Sequence, residues 1–409
     1  MSSSLARRTI SFSPPDIRDE DIAAVVEVLK SGWITTGIVG RRFEAELASY
    51  VGTTEVVALN SCTAALELAL RVLGIGPGDE VVVPAYTYTA TAAVVAHVGA
   101  KIVMVDSHPG EYWPSIHQIL EAVTERTAAI MTVDLAGVPY DTAGLIEALA
   151  SVPAHRVSRD GLVGRLKRPV VIVDAAHSLG AVRSGQKAGQ IGDLTAFSFH
   201  AVKNLTTAEG GALTWRRDLP VDSDTFAASI RRLALHGQTK DALAKSQAGG
   251  WEYDILETGF KMNMPDVLAA LGLTQLRRID DLILRRHEIA ARYAVGLDDA
   301  VSLLPHAGEN YRSSAHLCLV DLGDAAQFRE EIIGGLVEAG ISTNVHYKPL
   351  PLLTAYQRLG FSIADYPNAY NQYRRVLSLP LHTLLTDADV DFVSSSLKQA
   401  LASSEGLLP

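Results

Sequence analysis

Cysteine is almost missing from this sequence: Cys62 and Cys318 are the only two in 409 residues. Two cannot build a disulfide framework, so free thiols in a reducing cytoplasm are expected. A basic excess is missing too. The formal net charge is −10, which argues against an electrostatic grip on nucleic acid. A run of roughly 20 uninterrupted apolar residues is lacking. The most apolar stretch, 81–105, is broken by Pro84, several threonines, His97 and Lys101, so no membrane insertion is expected. Residues 1–10 carry Arg7 and Arg8 with no apolar run behind them, which reads as no signal peptide. Metal patterns are absent: the twelve histidines have no ligand spacing, and His287-Glu288 lacks the second histidine of a zinc-protease motif. No metal is expected. There is no Walker A sequence. Gly74-Ile75-Gly76-Pro77-Gly78 follows a helical pattern, and Pro77 obstructs a following helix, so it reads as a turn.

What is present is a chain long enough for a large domain and a smaller one. Nearly half its residues are hydrophobic, 48%, and a fifth are charged, as in ordinary soluble proteins. Residues 19–30 place Ile22, Val25, Val26 and Leu29 on one helical face, with Gly32 as the stop. Residues 34–37 read as a loop. From residue 56, short apolar runs at 56–59, 81–83, 102–105, 129–133, 170–173, 195–199 and 212–215 alternate with helical stretches such as 64–73 and 142–150. Continuous apolar strands between helices predict an α/β fold with a mostly parallel seven-stranded sheet covered on both faces. Asn60, Asp106, Asp134, Asp174 and His200 follow strands directly, and open α/β sheets bind ligands at those ends.

Residues 154–168 are polar and basic and read as an exposed insertion; 236–250 are similar. From about 275 a long charged helix begins. A strand at 316–320, a helix at 327–339 and a last helix around 387–401 follow. The expected division is an N-terminal arm with a large domain, 1–275, and a small C-terminal α+β domain, 276–409.

Three segments carry chemistry. In Asn60-Ser61-Cys62-Thr63-Ala64-Ala65-Leu66, small hydroxyl residues sit where a strand gives way to a helix. Such a junction suits phosphate, although Ser and Thr are also common helix caps. In Val171-Ile172-Val173-Asp174-Ala175-Ala176-His177, a carboxylate ends a fully apolar strand. A buried anion needs a partner, which a protonated pyridine nitrogen would supply; a plain helix cap is the other reading. In Phe197-Ser198-Phe199-His200-Ala201-Val202-Lys203-Asn204, followed by Thr206-Thr207-Ala208-Glu209-Gly210-Gly211, a lysine lies just past a buried strand. An amine there can form a Schiff base if its surroundings lower its pKa, whereas most lysines are solvated surface charges. Pyridoxal phosphate needs all three parts together: a Schiff-base lysine, an acid at the ring nitrogen and donors for the phosphate.

With these segments, Pro84-Ala85-Tyr86-Thr87-Tyr88, Gly32-Trp33-Ile34-Thr35-Thr36-Gly37 and the C-terminal Leu379-Pro380-Leu381, nearly the whole chain resembles the DegT/DnrJ/EryC1/StrS nucleotide-sugar aminotransferases, of the fold-type I architecture. The resemblance implies pyridoxal 5'-phosphate bound covalently by Lys203, with pyridoxamine 5'-phosphate as intermediate. It also implies ping-pong transfer of an amino group from glutamate, released as 2-oxoglutarate, to a nucleotide-linked keto sugar, with C4 the expected position. Lys203, Asp174 and His177 would be catalytic. Asp174 would face the ring nitrogen, and His177 the cofactor's 3-oxygen. Tyr88 and Ala176 would lie on the two ring faces, with Cys62, Thr63 and Ser198 at the phosphate.

The family pattern Gly-Tyr-Asn-Tyr-Arg-Met reads here as Gly259-Phe260-Lys261-Met262-Asn263-Met264. That loop crosses between subunits in the family. A homodimer with shared sites is therefore expected, in which the partner subunit's Lys261 reaches the phosphate and Asn263 accompanies it. The Lys/Asn version is similar to the branch that makes 4-amino-4-deoxy-arabinose on a UDP carrier. Tyr370 replaces a common Glu. A sugar dehydratase of the same fold, which carries His in place of the lysine, and a non-catalytic PLP-fold binding protein are the alternatives.

Overall fold

The computed structural model describes residues 8–152, 161–240 and 252–405. Seven strands form the central sheet: β1 (Val56–Leu59), β2 (Glu80–Pro84), β3 (Lys101–Val105), β4 (Thr127–Val133), β5 (Val170–Asp174), β6 (Leu194–Ser198) and β7 (Gly211–Trp215). Their spatial order is β1-β7-β6-β5-β4-β2-β3. β7 runs antiparallel to β1 and β6, and the other pairings are parallel. The pleat sends alternate side chains to opposite faces. Val170 and Ile172 enter one apolar cluster, while Val171 and Val173 enter clusters on the other side. Both faces are therefore covered, which is why these strands read as unbroken apolar runs. Gly74 and Gly78 sit in a turn, with positive φ.

A second sheet, β8 (Ser302–Leu303), β9 (Cys318–Asp321) and β10 (Val376–Leu379), is antiparallel throughout. The helices Ile279–Leu297, Arg329–Glu338 and Asp387–Glu405 enclose a core with it, and Ile10 of the N-terminal arm joins that core. Leu319 and Val376 face the other way, into the cluster beneath the large sheet. Among the described residues no helix is long and apolar enough to cross a membrane.

Several expectations need correcting. The first helix, Asp19–Ser31, ends at Gly32 in the left-handed region as read, a common helix stop. Its buried residues, however, are Asp21 and Val28, while Ile22, Val26 and Leu29 are exposed. Asp21 accepts hydrogen bonds from Gln275 and Arg278, and these turn the apolar stripe outward. Residues 38–51 form a further helix, absent from the sequence reading. Its N-terminus is capped by Asp266, which accepts from Gly37 N (2.7 Å), Gly40 N (2.8 Å) and Val39 N (3.1 Å). The long charged helix expected from about 275 is Ile279–Leu297, and a separate helix, Asp266–Arg277, precedes it. They break at Arg278, whose guanidinium is buried against Asp16 and Asp21.

The 154–168 insertion is not simply exposed. Residues 153–160 lie outside the described residues. Gly161–Leu166 is a helix with Leu162 and Val163 buried, and Arg168 is buried in a two-pronged pair with Asp193. In the 236–250 stretch, 241–250 likewise lie outside the described residues.

Candidate active site

The parallel strands all end on one side of the sheet, and the loops leaving those ends enclose a cavity of about 330 Å³. That lies within the roughly 300–1,000 Å³ usual for small-molecule sites. Cys62, Thr63, Tyr88, Asp174, Ala176, His177, Ser198 and Lys203 all line it. Lys261 and Asn263 of the same chain do not. Lys261 lies beside Thr35, Thr36 and His236 in a separate recess, and the Asn263 amide donates to Thr36 Oγ1 (2.6 Å). Of the polar residues that follow strands, Asn60, Asp106 and Asp134 stay outside the cavity. Asn60 N donates to Met262 O (2.7 Å). Asp106 caps the Pro367–Arg375 helix by accepting from Asn368 N and Ala369 N. Asp134 accepts from Tyr140 N and Ser178 Oγ, and burial pushes its pKa up to about 6.

The helix Cys62–Val72 starts directly after β1. Ser61 caps it, its Oγ accepting from Ala64 N (3.0 Å). The N–H groups of Cys62 and Thr63 belong to the first turn and have no intrahelical acceptor. They meet the wall of the cavity with the positive end of the helix dipole, the arrangement an anion needs. The helix can begin this close to β7 because residue 211 is glycine. A Cβ there would stand 2.3 Å from Cys62 N.

Asp174 ends β5, deep in the cavity. Its Oδ2 accepts from Thr91 Oγ1 (2.8 Å); its Oδ1 accepts from Ala176 N (3.2 Å) and from Cys62 Sγ (3.7 Å). All three donors are neutral. Burial raises the Asp174 pKa against the pull of these donors and of Lys203. Burial pushes the Cys62 thiol well up, so it stays protonated as a donor.

Lys203 is presented by a turn after β6, in which its N–H donates to His200 O (2.9 Å). The next residue anchors that turn: Asn204 Nδ2 donates to Ser314 O (2.7 Å), and Asn204 Oδ1 meets His316 Nδ1 (3.0 Å). Burial lowers the Lys203 pKa to about 8, with Asp174 pulling it back upward.

His177 lies between two partners. Ala136 N donates to Nδ1 (3.2 Å), and Nε2 is 3.0 Å from the Tyr347 hydroxyl. Burial, with Lys203 nearby, holds its pKa well below the usual histidine range. Thr91, His316, His346 and Tyr347 are parts of the site absent from the sequence reading. Thr91 stands one helical turn beyond Tyr88 in the Thr89–His97 helix, so a threonine on a buried helix face was the available signal. Tyr347 comes from the distant C-terminal part and has no local signal.

The cavity suits pyridoxal phosphate. Asp174 uses three of the about four acceptor positions of a carboxylate and lacks a fixed cation, which a protonated ring nitrogen supplies. Lys203 can reach the neutral form that a Schiff base requires, and the Cys62–Thr63 turn with Ser198 offers donors for a phosphate.

Comparison with known proteins agrees. Residues 15–398 match the DegT/DnrJ/EryC1/StrS aminotransferase family. The chain is 40% identical over 402 residues to the spore coat polysaccharide biosynthesis protein SpsC of Bacillus subtilis, covering 97% of this chain and 98% of SpsC. It is 34% identical over 395 residues to a UDP-4-amino-4-deoxy-L-arabinose–oxoglutarate aminotransferase of Shewanella sediminis, covering 94% and 96%. Spr1654 from Streptococcus pneumoniae, named as a sugar aminotransferase and solved in its PMP form, superposes with a TM-score of 0.94 at 45% identity, covering 97% of this chain and all of that one. Its PLP form superposes with a TM-score of 0.93. The chain belongs to the DegT/DnrJ/EryC1/StrS aminotransferase family, the pyridoxal-phosphate-dependent sugar aminotransferases of fold-type I.

Proposed function

We propose that this chain moves an amino group from glutamate to the 4-keto position of a nucleotide-linked sugar, with Lys203 holding the cofactor and carrying the proton. One observation bears most of the weight: Lys203, Asp174 and the free first turn of the Cys62–Val72 helix open into a single cavity. The relative named for amino exchange between a UDP-linked 4-amino sugar and oxoglutarate, the keto acid of glutamate, supports the choice of donor and position.

Bound pyridoxal phosphate supplies an electron sink for the carbon that loses its proton. The chain does the rest. The Cys62 and Thr63 N–H groups and the Ser198 hydroxyl hold the phosphate. Asp174 keeps a proton on the ring nitrogen, oriented by Thr91, Cys62 and Ala176 N. Tyr88 and Ala176 flank the ring. Lys203 holds the cofactor covalently and, once released, moves the proton from one carbon to another as general base and then acid. A pKa of about 8 leaves it a usable neutral fraction near neutral pH. Glutamate reacts first and leaves as 2-oxoglutarate before the keto sugar enters.

The active form is a homodimer, in which the partner subunit's Lys261 and Asn263 complete the site. The exposed Ile22, Val26 and Leu29 stripe offers the apolar face a dimer buries. The two domains divide at 275/276, and the buried free thiols of Cys62 and Cys318 suit a cytoplasmic enzyme.

Purified protein given PLP, glutamate and a UDP-linked 4-keto sugar should yield 2-oxoglutarate and the amino sugar by mass spectrometry, and should sediment as a dimer. Lys203→Ala should give neither product. Substantial turnover by that variant would overturn the assignment.

A further inference from the structure

The two nitrogens of His177 have different duties. Ala136 N–H points at Nδ1, so a neutral ring must carry its own proton on Nε2. The ring is neutral because burial holds its pKa well below the usual range. Nε2–H is therefore the donor across the 3.0 Å to the Tyr347 oxygen. Tyr347 keeps its phenol proton, since burial pushes its pKa up, and that hydrogen is left over. The Tyr347 side chain lines the cavity.

Neither end of this relay is free to swing. Tyr347 N donates to Tyr86 Oη (2.9 Å), which in turn donates to His346 O (2.8 Å). Around Ala136, the Ala136 and Gly137 carbonyls accept from His316 N and Ser314 N, and the Ser314 hydroxyl donates to the His177 carbonyl. Five segments are thus tied together: Tyr86, the turn after β4, the loop after β5, residues 314–316 and residues 346–347.

We propose that His177, with both ring nitrogens engaged inside the chain, is a positioning residue for Tyr347 rather than the contact to the cofactor's 3-oxygen that the resemblance implied, and that the Tyr347 hydroxyl donates its free hydrogen to an anionic oxygen of the bound ligand. The relay itself needs no ligand; the donation rests on the proposed cofactor chemistry. Glutamine at 177 can reproduce the pattern, its amide oxygen accepting from Ala136 N and its NH₂ donating to Tyr347. Leucine can do neither.

Two measurements test this separately. In cofactor-free protein labelled with ¹⁵N-histidine, and with His177→Gln used to assign the signal, the His177 ring should show a bare Nδ1 and a protonated Nε2. Tyr347→Phe should leave that tautomer unchanged and move the Nε2–H proton resonance upfield. A proton on Nδ1, or an Nε2–H resonance indifferent to Tyr347→Phe, would overturn the relay. In PLP-loaded protein, the pH midpoint of the visible band should rise by about one unit in Tyr347→Phe and in His177→Leu, the size of one lost hydrogen bond, and stay in place in His177→Gln. An unmoved midpoint in Tyr347→Phe would overturn the donation. A complete lack of a visible band in the parent would instead count against the proposed function, with the relay still decided by the cofactor-free spectra.

Discussion

At the start of β5 the buried Asp193 accepts from Arg168 Nη1 (2.6 Å) and Nη2 (2.8 Å), Arg216 Nε (2.9 Å) and Val171 N (2.8 Å). At the other end of the same strand the equally enclosed Asp174 has only a hydroxyl, a thiol and one backbone N–H. Its nearest cation, Lys203, is itself lowered to about 8. Both carboxylates lose their hydration, and a buried charge is tolerated only with compensation. For Asp193 the compensation is built into the fold by two guanidinium groups, which leaves no role for a ligand. For Asp174 the fold provides orientation without full neutralisation, so a bound cation completes it. A buried acid held only by neutral donors marks a site where, like Asp174 and unlike Asp134, it also opens into a cavity; one clasped by arginines marks a structural joint.

The sharpest way to break this contrast is to neutralise each acid. Asp193→Ala leaves Arg168 buried without its partner and should cost roughly 3–5 kcal/mol, read as a lower urea midpoint for the cofactor-free protein. The glutamate half-reaction per folded molecule should be unchanged. Asp174→Asn should do the reverse. Its urea midpoint should hold or rise, because an incompletely compensated charge has gone, while the half-reaction slows by roughly 100-fold or more. Equal losses of stability in the two variants would erase the distinction.

A smaller effect sharpens it. Only the neutral amine of Lys203 condenses with added PLP. Condensation with the cofactor-free protein should therefore quicken about tenfold per pH unit below the lysine pKa of about 8 and level off above it. The negative charge of Asp174 favours the ammonium form, so Asp174→Asn should move the midpoint of this profile downward. Asp193→Ala should leave it in place. Stopped-flow absorbance read across pH 6–10 gives both profiles.

These two acids also show what the sequence can and cannot reveal. Asp174 was legible because it ends an apolar strand, and Lys203 because it follows one; the chemistry of a single cofactor then linked them. Asp193 and Arg168 were not. Arg168 closes a polar, basic stretch, and its burial depends on an acid 25 residues later across the sheet. Asp106 and Asp134 stand in positions like that of Asp174 and proved to be a helix cap and a loop clasp. What separates the three is the company supplied by distant segments. The same holds for the Asp19–Ser31 helix. Its existence was readable from the apolar spacing and its end from Gly32. Which face it buries was decided by Gln275 and Arg278, and most of the apolar stripe faces outward. Tyr347 and the Asp266 cap on the Ile38–Val51 helix escaped for that reason too, each partner lying far along the chain.

The visible absorption spectrum of the purified protein with PLP decides whether Lys203 and Asp174 form a cofactor site that takes an amino group from glutamate. A yellow Schiff-base band should form, fade on adding glutamate as the pyridoxamine band grows, and be missing from Lys203→Ala. A parent protein with no such band, or a Lys203→Ala variant that shows the same band, would contradict that assignment.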